Sequence, residues 1–97
     1  MFSIFSGKRE ESFQELLTDI RKKAKLRDGL VAKFEAIEEK INQNSESIFI
    51  KTWIEQRNDY IKIAKDIESE LKDDFRKLTD AELKKLPDHL LNLRRFL

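Results

Sequence analysis

The polar segment Asn42-Gln-Asn-Ser-Glu-Ser47 decides the fold, because it separates two apolar stripes of nearly equal length. The first stripe covers residues 13–41 and the second covers residues 50–78. In both stripes the apolar residues recur three and four positions apart, as in an amphipathic α-helix. Equal arms with a short connection are typical of antiparallel neighbours. The sequence therefore predicts a long, coiled-coil-like antiparallel helical hairpin, with arms over residues 10–43 and 47–78.

The dipeptide Asp28-Gly29 interrupts the first stripe. Asp-Gly is a common turn signal, and a glycine inside a helix costs about 1 kcal/mol relative to alanine. We favour a first helix that continues through Gly29. The alternative is a break at Gly29, which would convert the hairpin into a compact four-helix bundle.

We interpret residues 1–97 as a single helical domain. Residues 1–8 form an N-terminal tail, 9–78 the helical hairpin and 79–97 a C-terminal helical segment. Ser12 with Glu15 has the spacing of a capping box at the start of the first helix, and Thr79 with Glu82 has the same spacing. Pro87 ends one short helix and can begin another. The C-terminal segment is expected to pack at the open end of the hairpin.

Composition restricts the class of protein. Of 97 residues, 40% are charged and 39% hydrophobic, and the net charge is +1, so no global attraction to nucleic acid or anionic membrane follows. The chain has no cysteine, which rules out disulfides and favours a cytoplasmic protein. No apolar run reaches the roughly 18 residues that a membrane-spanning helix needs.

No pattern in the chain indicates catalysis. His89 is the one histidine, and Leu86 stands three positions before it where a di-metal carboxylate bundle would have glutamate. Glycine-rich phosphate loops and nucleophile motifs are also missing. We therefore expect no enzyme activity, no cofactor and no metal site.

The strongest charge signal is a basic run on the first arm, which consists of Arg21, Lys22, Lys23, Lys25 and Arg27. An acidic cluster between Asp66 and Asp74 lies near it in an antiparallel hairpin. We favour pairing between these two groups within the chain. The alternatives are that the basic run contacts a protein partner or, less favoured, the phosphates of a nucleic acid.

An apolar surface is expected at the loop end of the hairpin. Residues 79–97 are too short as helix to cover both arms along their whole length, and uncovered apolar patches mark interaction sites. Trp53 and Arg57, one turn apart, belong to residue types enriched in interface hot spots. The predicted partner-binding residues are Phe34, Ile37, Ile41, Phe49, Ile50, Trp53, Ile54 and Arg57. The alternative is that a broken first helix folds over this region and makes it ordinary core.

These patterns favour a non-enzymatic protein–protein interaction module, such as a small adaptor, regulator or inhibitor, that also self-associates as a homo-oligomer. The first alternative is a nucleic-acid-associated factor that uses the face from Arg21 to Arg27. The second is a peripheral membrane protein that makes weak contact through Phe2, Ile4 and Phe5.

Overall fold

A computed structural model describes the backbone of residues 2–97 and the side chains from Glu10 onward, and it contains four helices and no strand in that range. Helix α1 spans Phe2–Gln43, α2 spans Ile50–Arg76, α3 spans Asp80–Lys84 and α4 spans Asp88–Phe96. The two long helices pack on each other as a hairpin, and α3 and α4 follow as short C-terminal helices. The predicted fold class is therefore confirmed.

The start of the first helix was predicted wrongly. Helix α1 begins at Phe2, so residues 2–8 are helical rather than a tail, and Ser12 lies inside the helix rather than at its N-cap. Once a helix has formed, each added residue gains a backbone hydrogen bond. No proline opposes extension in this stretch. Gly7 alone is too weak a breaker to stop the helix.

Helix α1 continues through Asp28-Gly29 without a break, so the compact four-helix bundle with an interruption there is not formed. Gly29 is exposed and its φ is not positive. Apart from its chain neighbours and the adjacent backbone of its own helix, an added Cβ atom would have no heavy atom within 4 Å. The glycine therefore serves no packing or turn role that the structure shows.

The connection between the long helices covers residues 44–49 and closes through short-range hydrogen bonds. The amide of Ser47 donates to the carbonyl of Asn44 (2.9 Å), and the Ser47 hydroxyl accepts from the amide of Phe49 (3.1 Å). These bonds satisfy backbone groups at the helix ends. The predicted end of the first helix is correct, whereas α2 spans Ile50–Arg76 instead of the predicted residues 47–78.

The chain divides into two compact units. We call the residues up to Ala24 and from Glu70 to Leu97 the terminal unit, and Lys25–Ser69 the loop unit. The terminal unit contains α3 and α4 and most of the buried side chains. Its buried apolar residues are Phe13, Leu17, Ile20, Ala24, Leu71, Phe75, Leu78, Leu86 and Leu90.

The capping box at the start of α3 is present as predicted. The Thr79 hydroxyl accepts a hydrogen bond from the Glu82 amide (3.2 Å), and the Glu82 carboxylate accepts one from the Thr79 amide (2.9 Å). Pro87 is the N-cap of α4, where its missing N–H removes no helix hydrogen bond. These two signals turn the chain so that Leu86 and Leu90 are buried in the terminal unit.

Replacing Leu71, which is fully buried, should test the core assignment. Leu71→Ala removes buried methyl groups and leaves a cavity, so it should lower the free energy of unfolding by about 2–5 kcal/mol. Lys62→Ala, at an exposed position of α2, should change it by less than about 0.5 kcal/mol. Urea denaturation followed by circular dichroism measures both. Equal losses for the two variants would show that the faces of α2 are assigned wrongly.

Gly29→Ala should stabilise the protein, by about 1 kcal/mol. The new methyl group enters open space, and alanine restricts the unfolded chain and favours the helix. Ala32→Gly, at an exposed position one turn further on, should lower stability by a similar amount. A lower melting temperature for Gly29→Ala would indicate a hinge or bend that α1 needs at this residue.

Candidate partner-binding surface

The eight predicted partner-binding residues all lie in the loop unit, but they are covered to different degrees. Phe49 is 56% exposed, whereas Ile37 is buried and is therefore a core residue. The other six are half-buried: Phe34, Ile41, Ile50, Trp53, Ile54 and Arg57. The rings of Phe49 and Trp53 lie 6.2 Å apart between centroids, which is a tilted aromatic pair on the surface. Most of this set is thus partly covered by the facing helix.

A second line of apolar residues lies beside the seam between the helices. On α2 the seam positions recur at alternating four- and three-residue steps from Ile50 through Glu68, and on α1 they include Arg27 and Val31. On both helices, the residue that directly precedes a seam position is often apolar as well. These flanking residues are Phe49 at the end of the connection, Trp53, Tyr60, Ile63 and Ile67 on α2, and Leu26 and Leu30 on α1. Their two most exposed members on the helices are Leu26 at 61% and Ile63 at 47%.

The flanking residues of both helices lie on the same side of the loop unit. In right-handed helices that run antiparallel, positions one residue before the seam turn toward the same side of the pair. The contact of Lys33 with Tyr60 shows this directly, since its ammonium nitrogen lies 5.6 Å from the ring centroid. Such an exposed cation–π contact is worth only about 0.5–1 kcal/mol. We call this surface, formed by the flanking residues with Lys33, the open face.

Sequence reasoning missed part of this surface. The open face includes Leu26 and Ile63, and Ile48 in the loop is 88% exposed, yet none of the three was selected. The signal was present, because Ile63 stands at helical spacing from Tyr60 and Ile67. The sequence pattern predicts one broad apolar stripe, whereas the structure divides it into the seam and the flanking residues beside the seam.

Arg57 occupies a seam position between Ile54 and Ile61. Its terminal nitrogen donates to the side-chain oxygen of Asn58 at 3.3 Å, and its Nε is buried and has no hydrogen-bond partner among the described residues. A buried donor without an acceptor costs free energy. Arg57 therefore weakens the seam of the loop unit, and its stem rather than its charge contributes packing.

The basic run on α1 is partly used inside the chain, as favoured from sequence. In the terminal unit Lys23 Nζ donates to the Asp74 carboxylate at 2.7 Å. In the loop unit Arg27 Nε donates to the Glu68 carboxylate at 2.8 Å. The other three members, Arg21, Lys22 and Lys25, are exposed.

The contact between Lys23 and Asp74 is the most buried ion pair among the described residues, because the Asp74 side chain is almost fully covered. The hydrogen bond to Asp74 raises the pKa of the Lys23 ammonium above its usual value of 10.5, against the opposing effect of burial. Asp74 also has Lys77 Nζ at 3.7 Å. This pair thus fixes a charged contact at the edge of an apolar core.

Other surfaces offer less. No group of three metal-ligating side chains occurs among the described residues, and no helix in that part of the chain is long and apolar enough to cross a membrane. A shallow groove in the terminal unit is lined by basic Lys72, Arg76 and Arg94, but Arg76 already contacts Asp73 at 3.6 Å. The side chains of Phe2, Ile4 and Phe5, proposed for membrane contact, lie outside the described side chains.

No protein-family model, curated protein or solved structure matches this chain. Function is therefore inferred from the surfaces of the chain itself. Among these, the open face consists of exposed and half-buried apolar side chains.

Lys23→Met should lower the free energy of unfolding by about 1–3 kcal/mol near neutral pH, because it leaves the buried Asp74 carboxylate without its shortest hydrogen bond. Because the pKa of Lys23 is raised in the folded state, the stabilisation by its charge is complete below pH 10.5. It is lost as the pH rises through the folded-state pKa. The difference between wild type and Lys23→Met should therefore shrink above pH 10.5. Denaturant unfolding at neutral pH and above pH 10.5 measures this difference.

Lys22→Met is the matched control for this experiment, because Lys22 is exposed and has no ion pair among the described residues. It should change stability by less than about 0.5 kcal/mol at either pH. A gap between wild type and Lys23→Met that stays constant above pH 10.5 would contradict a role for the Lys23 charge.

Proposed function

We propose that this protein is a non-enzymatic helical interaction module that self-associates, and that the loop unit carries the interface. The observation that supports the proposal is the small core of this unit, all of whose residues the structure describes. Its buried apolar side chains are Ile37 and Ala64 alone, and its other large apolar side chains are half-buried or exposed. Apolar surface left this open on a small protein is typical of a protein–protein interaction site.

The architecture explains why the loop unit needs a further element. Each amphipathic helix has an apolar stripe wider than one neighbour can cover, so a second packing layer is needed. The loop unit consists of two helical segments and their connection, without a third helix. A partner that supplies the missing layer would bury Trp53, Tyr60 and Ile63. A cytoplasmic location belongs to this proposal, in keeping with a cysteine-free chain.

A nucleic-acid-associated role is the less favoured alternative. Lys23 and Arg27 are engaged by Asp74 and Glu68, so two of the five residues of the basic run are neutralised within the chain. Binding through phosphates weakens steeply with salt, whereas apolar self-association does not. Light scattering at low and high salt therefore separates the two functions.

Trp53→Ala should weaken self-association while leaving the monomer helical. The loss of a buried aromatic anchor costs a complex at least about 2 kcal/mol, which corresponds to about thirtyfold in affinity. Trp53 is half-buried and pairs with the exposed ring of Phe49, so part of its surface is free to bind. Light scattering over a concentration series measures the assembly, and circular dichroism melting of the same samples measures the fold.

Lys51→Ala is the control, because Lys51 is exposed and lies on the opposite side of α2 from Trp53. It should leave both measurements unchanged. If Trp53→Ala unfolds the chain and its state of association stays the same, Trp53 is a core residue and the interface lies elsewhere.

A further inference from the structure

A groove between α2 and α4 brings three basic side chains of the terminal unit together. It is lined by Lys72, Phe75 and Arg76 of α2, by Arg94 of α4 and by Leu97. No described acidic residue belongs to this lining. The volume of the groove is about 420 Å³, at the lower end of the range for small-ligand sites, which is roughly 300–1,000 Å³. We call this feature the basic groove.

Two of the three cations in the basic groove have no counter-ion. The side chains of Lys72 and Arg94 form no ion pair or hydrogen bond in the part of the chain that the structure describes. The third cation, Arg76, has its Nη1 atom 3.6 Å from Oδ1 of Asp73, and both side chains are largely exposed. Exposed pairs of this kind contribute little to stability, so another anion can replace Asp73 at low cost. The groove therefore concentrates positive charge that the chain leaves largely uncompensated.

The position of Lys72 in particular is not explained by an interaction within the chain. Arg76 and Arg94 lie in the last turns of α2 and α4, where a cation complements the partial negative charge of a helix end. Lys72 lies one turn earlier and is four residues from Arg76, a spacing at which like charges on a helix repel each other. The carboxylate one turn before Lys72, that of Glu68, instead accepts a hydrogen bond from Arg27 at 2.8 Å.

We propose that the basic groove binds a phosphate monoester, whose phosphate contacts Lys72, Arg76 and Arg94. At neutral pH such a phosphate carries nearly two negative charges and has three acceptor oxygens, which suits a site with three cationic side chains. A carboxylate has a single charge, and one arginine can satisfy it through a bidentate pair. The inference concerns the terminal unit and does not depend on self-association through the loop unit.

The three cations would contribute in different ways. The guanidinium groups of Arg76 and Arg94 are planar and can each donate two parallel hydrogen bonds to phosphate oxygens, whereas the Lys72 ammonium acts as a point charge. Because the groove is shallow and open to water, these attractions are screened by solvent and salt, so the affinity is moderate and falls with ionic strength.

The apolar part of the lining restricts the organic group of the ester. Phe75 is almost fully covered, and Leu97 is half-buried. Little apolar surface is therefore available beside the three cations, and a compact organic group fits better than an extended one. A single aromatic ring is a suitable probe, because it can lie against Leu97 while the phosphate contacts the basic side chains.

Titration with phenyl phosphate, followed by the amide resonances in two-dimensional NMR, tests the site. We expect shifts concentrated at residues 72–76 and 94–97. Arg94→Gln and Lys72→Gln should each weaken binding by about tenfold, because each removes a charge-assisted contact with the phosphate. Arg95→Gln is the matched control, since Arg95 is exposed in the same turn of α4 but does not line the groove. It should have little effect on binding.

Two further probes define the chemistry of the ligand. Phenyl sulfate has nearly the same shape as phenyl phosphate but one negative charge, so it should bind several-fold more weakly. Phosphatidylcholine vesicles with and without phosphatidic acid distinguish a lipid headgroup from a soluble ester as the source of the phosphate. Sedimentation with the vesicles that requires both phosphatidic acid and Arg94 would assign the lipid as the source. Circular dichroism checks that each variant is folded.

The outcomes decide the inference separately from the proposed function. Binding of phenyl phosphate that is weakened in Arg94→Gln and Lys72→Gln but kept in Arg95→Gln supports the site. The inference is overturned if neither phenyl phosphate nor the vesicles bind, if Arg95→Gln weakens binding as much as Arg94→Gln, or if phenyl sulfate binds equally well. Light scattering in the absence of these probes measures self-association, so each idea can fail without the other.

Discussion

The limited area that two amphipathic helices can bury against each other governs this structure. A helix pair forms one seam, and the residues beside the seam stay partly exposed unless a third element covers them. In the terminal unit α3 and α4 supply that element, and Leu86 and Leu90 are buried there. In the loop unit no third helix is present, and Leu26 and Ile63 remain open. For inferring function, the most informative property of the molecule is this difference in how fully the apolar side chains of the two units are covered.

Charged residues within the seams set the pairing of the helices. Lys23 and Arg27 interrupt an otherwise apolar stripe, and each finds a carboxylate on α2, namely Asp74 and Glu68. Breaking such a pair is costly even though the pair adds little net stability compared with apolar residues of the same size. A slip of one helix along the other would leave the largely buried Asp74 without its partner. These pairs therefore contribute specificity of register more than stability.

The fold was predictable because its signals are long and repeated. The apolar spacing, the polar connection and the Thr79–Glu82 capping box each agree with the others and with the structure. The start of α1 was not predictable from Ser12 and Glu15, since capping residues also occur inside helices that extend further. The pairing of Lys23 and Arg27 followed from the antiparallel arrangement and needed no side-chain detail.

The candidate partner-binding surface was only partly predictable from the sequence. The spacing of apolar residues locates an apolar stripe on a helix but does not show which of its residues are buried and which are exposed. Ile37 was grouped with Phe49 although one is buried and the other exposed. The division depends on the rotation of each helix about its axis, which the facing residues determine jointly. Ile63 shows the same limit, since its spacing fits the stripe but its side chain lies at the open edge.

With so few buried residues in the loop unit, the proposed association would also contribute to the stability of the fold. Its apolar side chains beyond Ile37 and Ala64 are only partly buried, and the Arg57 Nε is a buried donor without a hydrogen-bond partner among the described residues. A ligand that binds only the folded state stabilises it by mass action, and a second copy that covers Trp53 and Tyr60 would act in this way. The same exposed surface that leaves the loop unit weakly packed would then provide the free energy for the proposed binding. An apolar substitution that closed the seam at Arg57 would strengthen the unit without supplying the layer that the open face lacks.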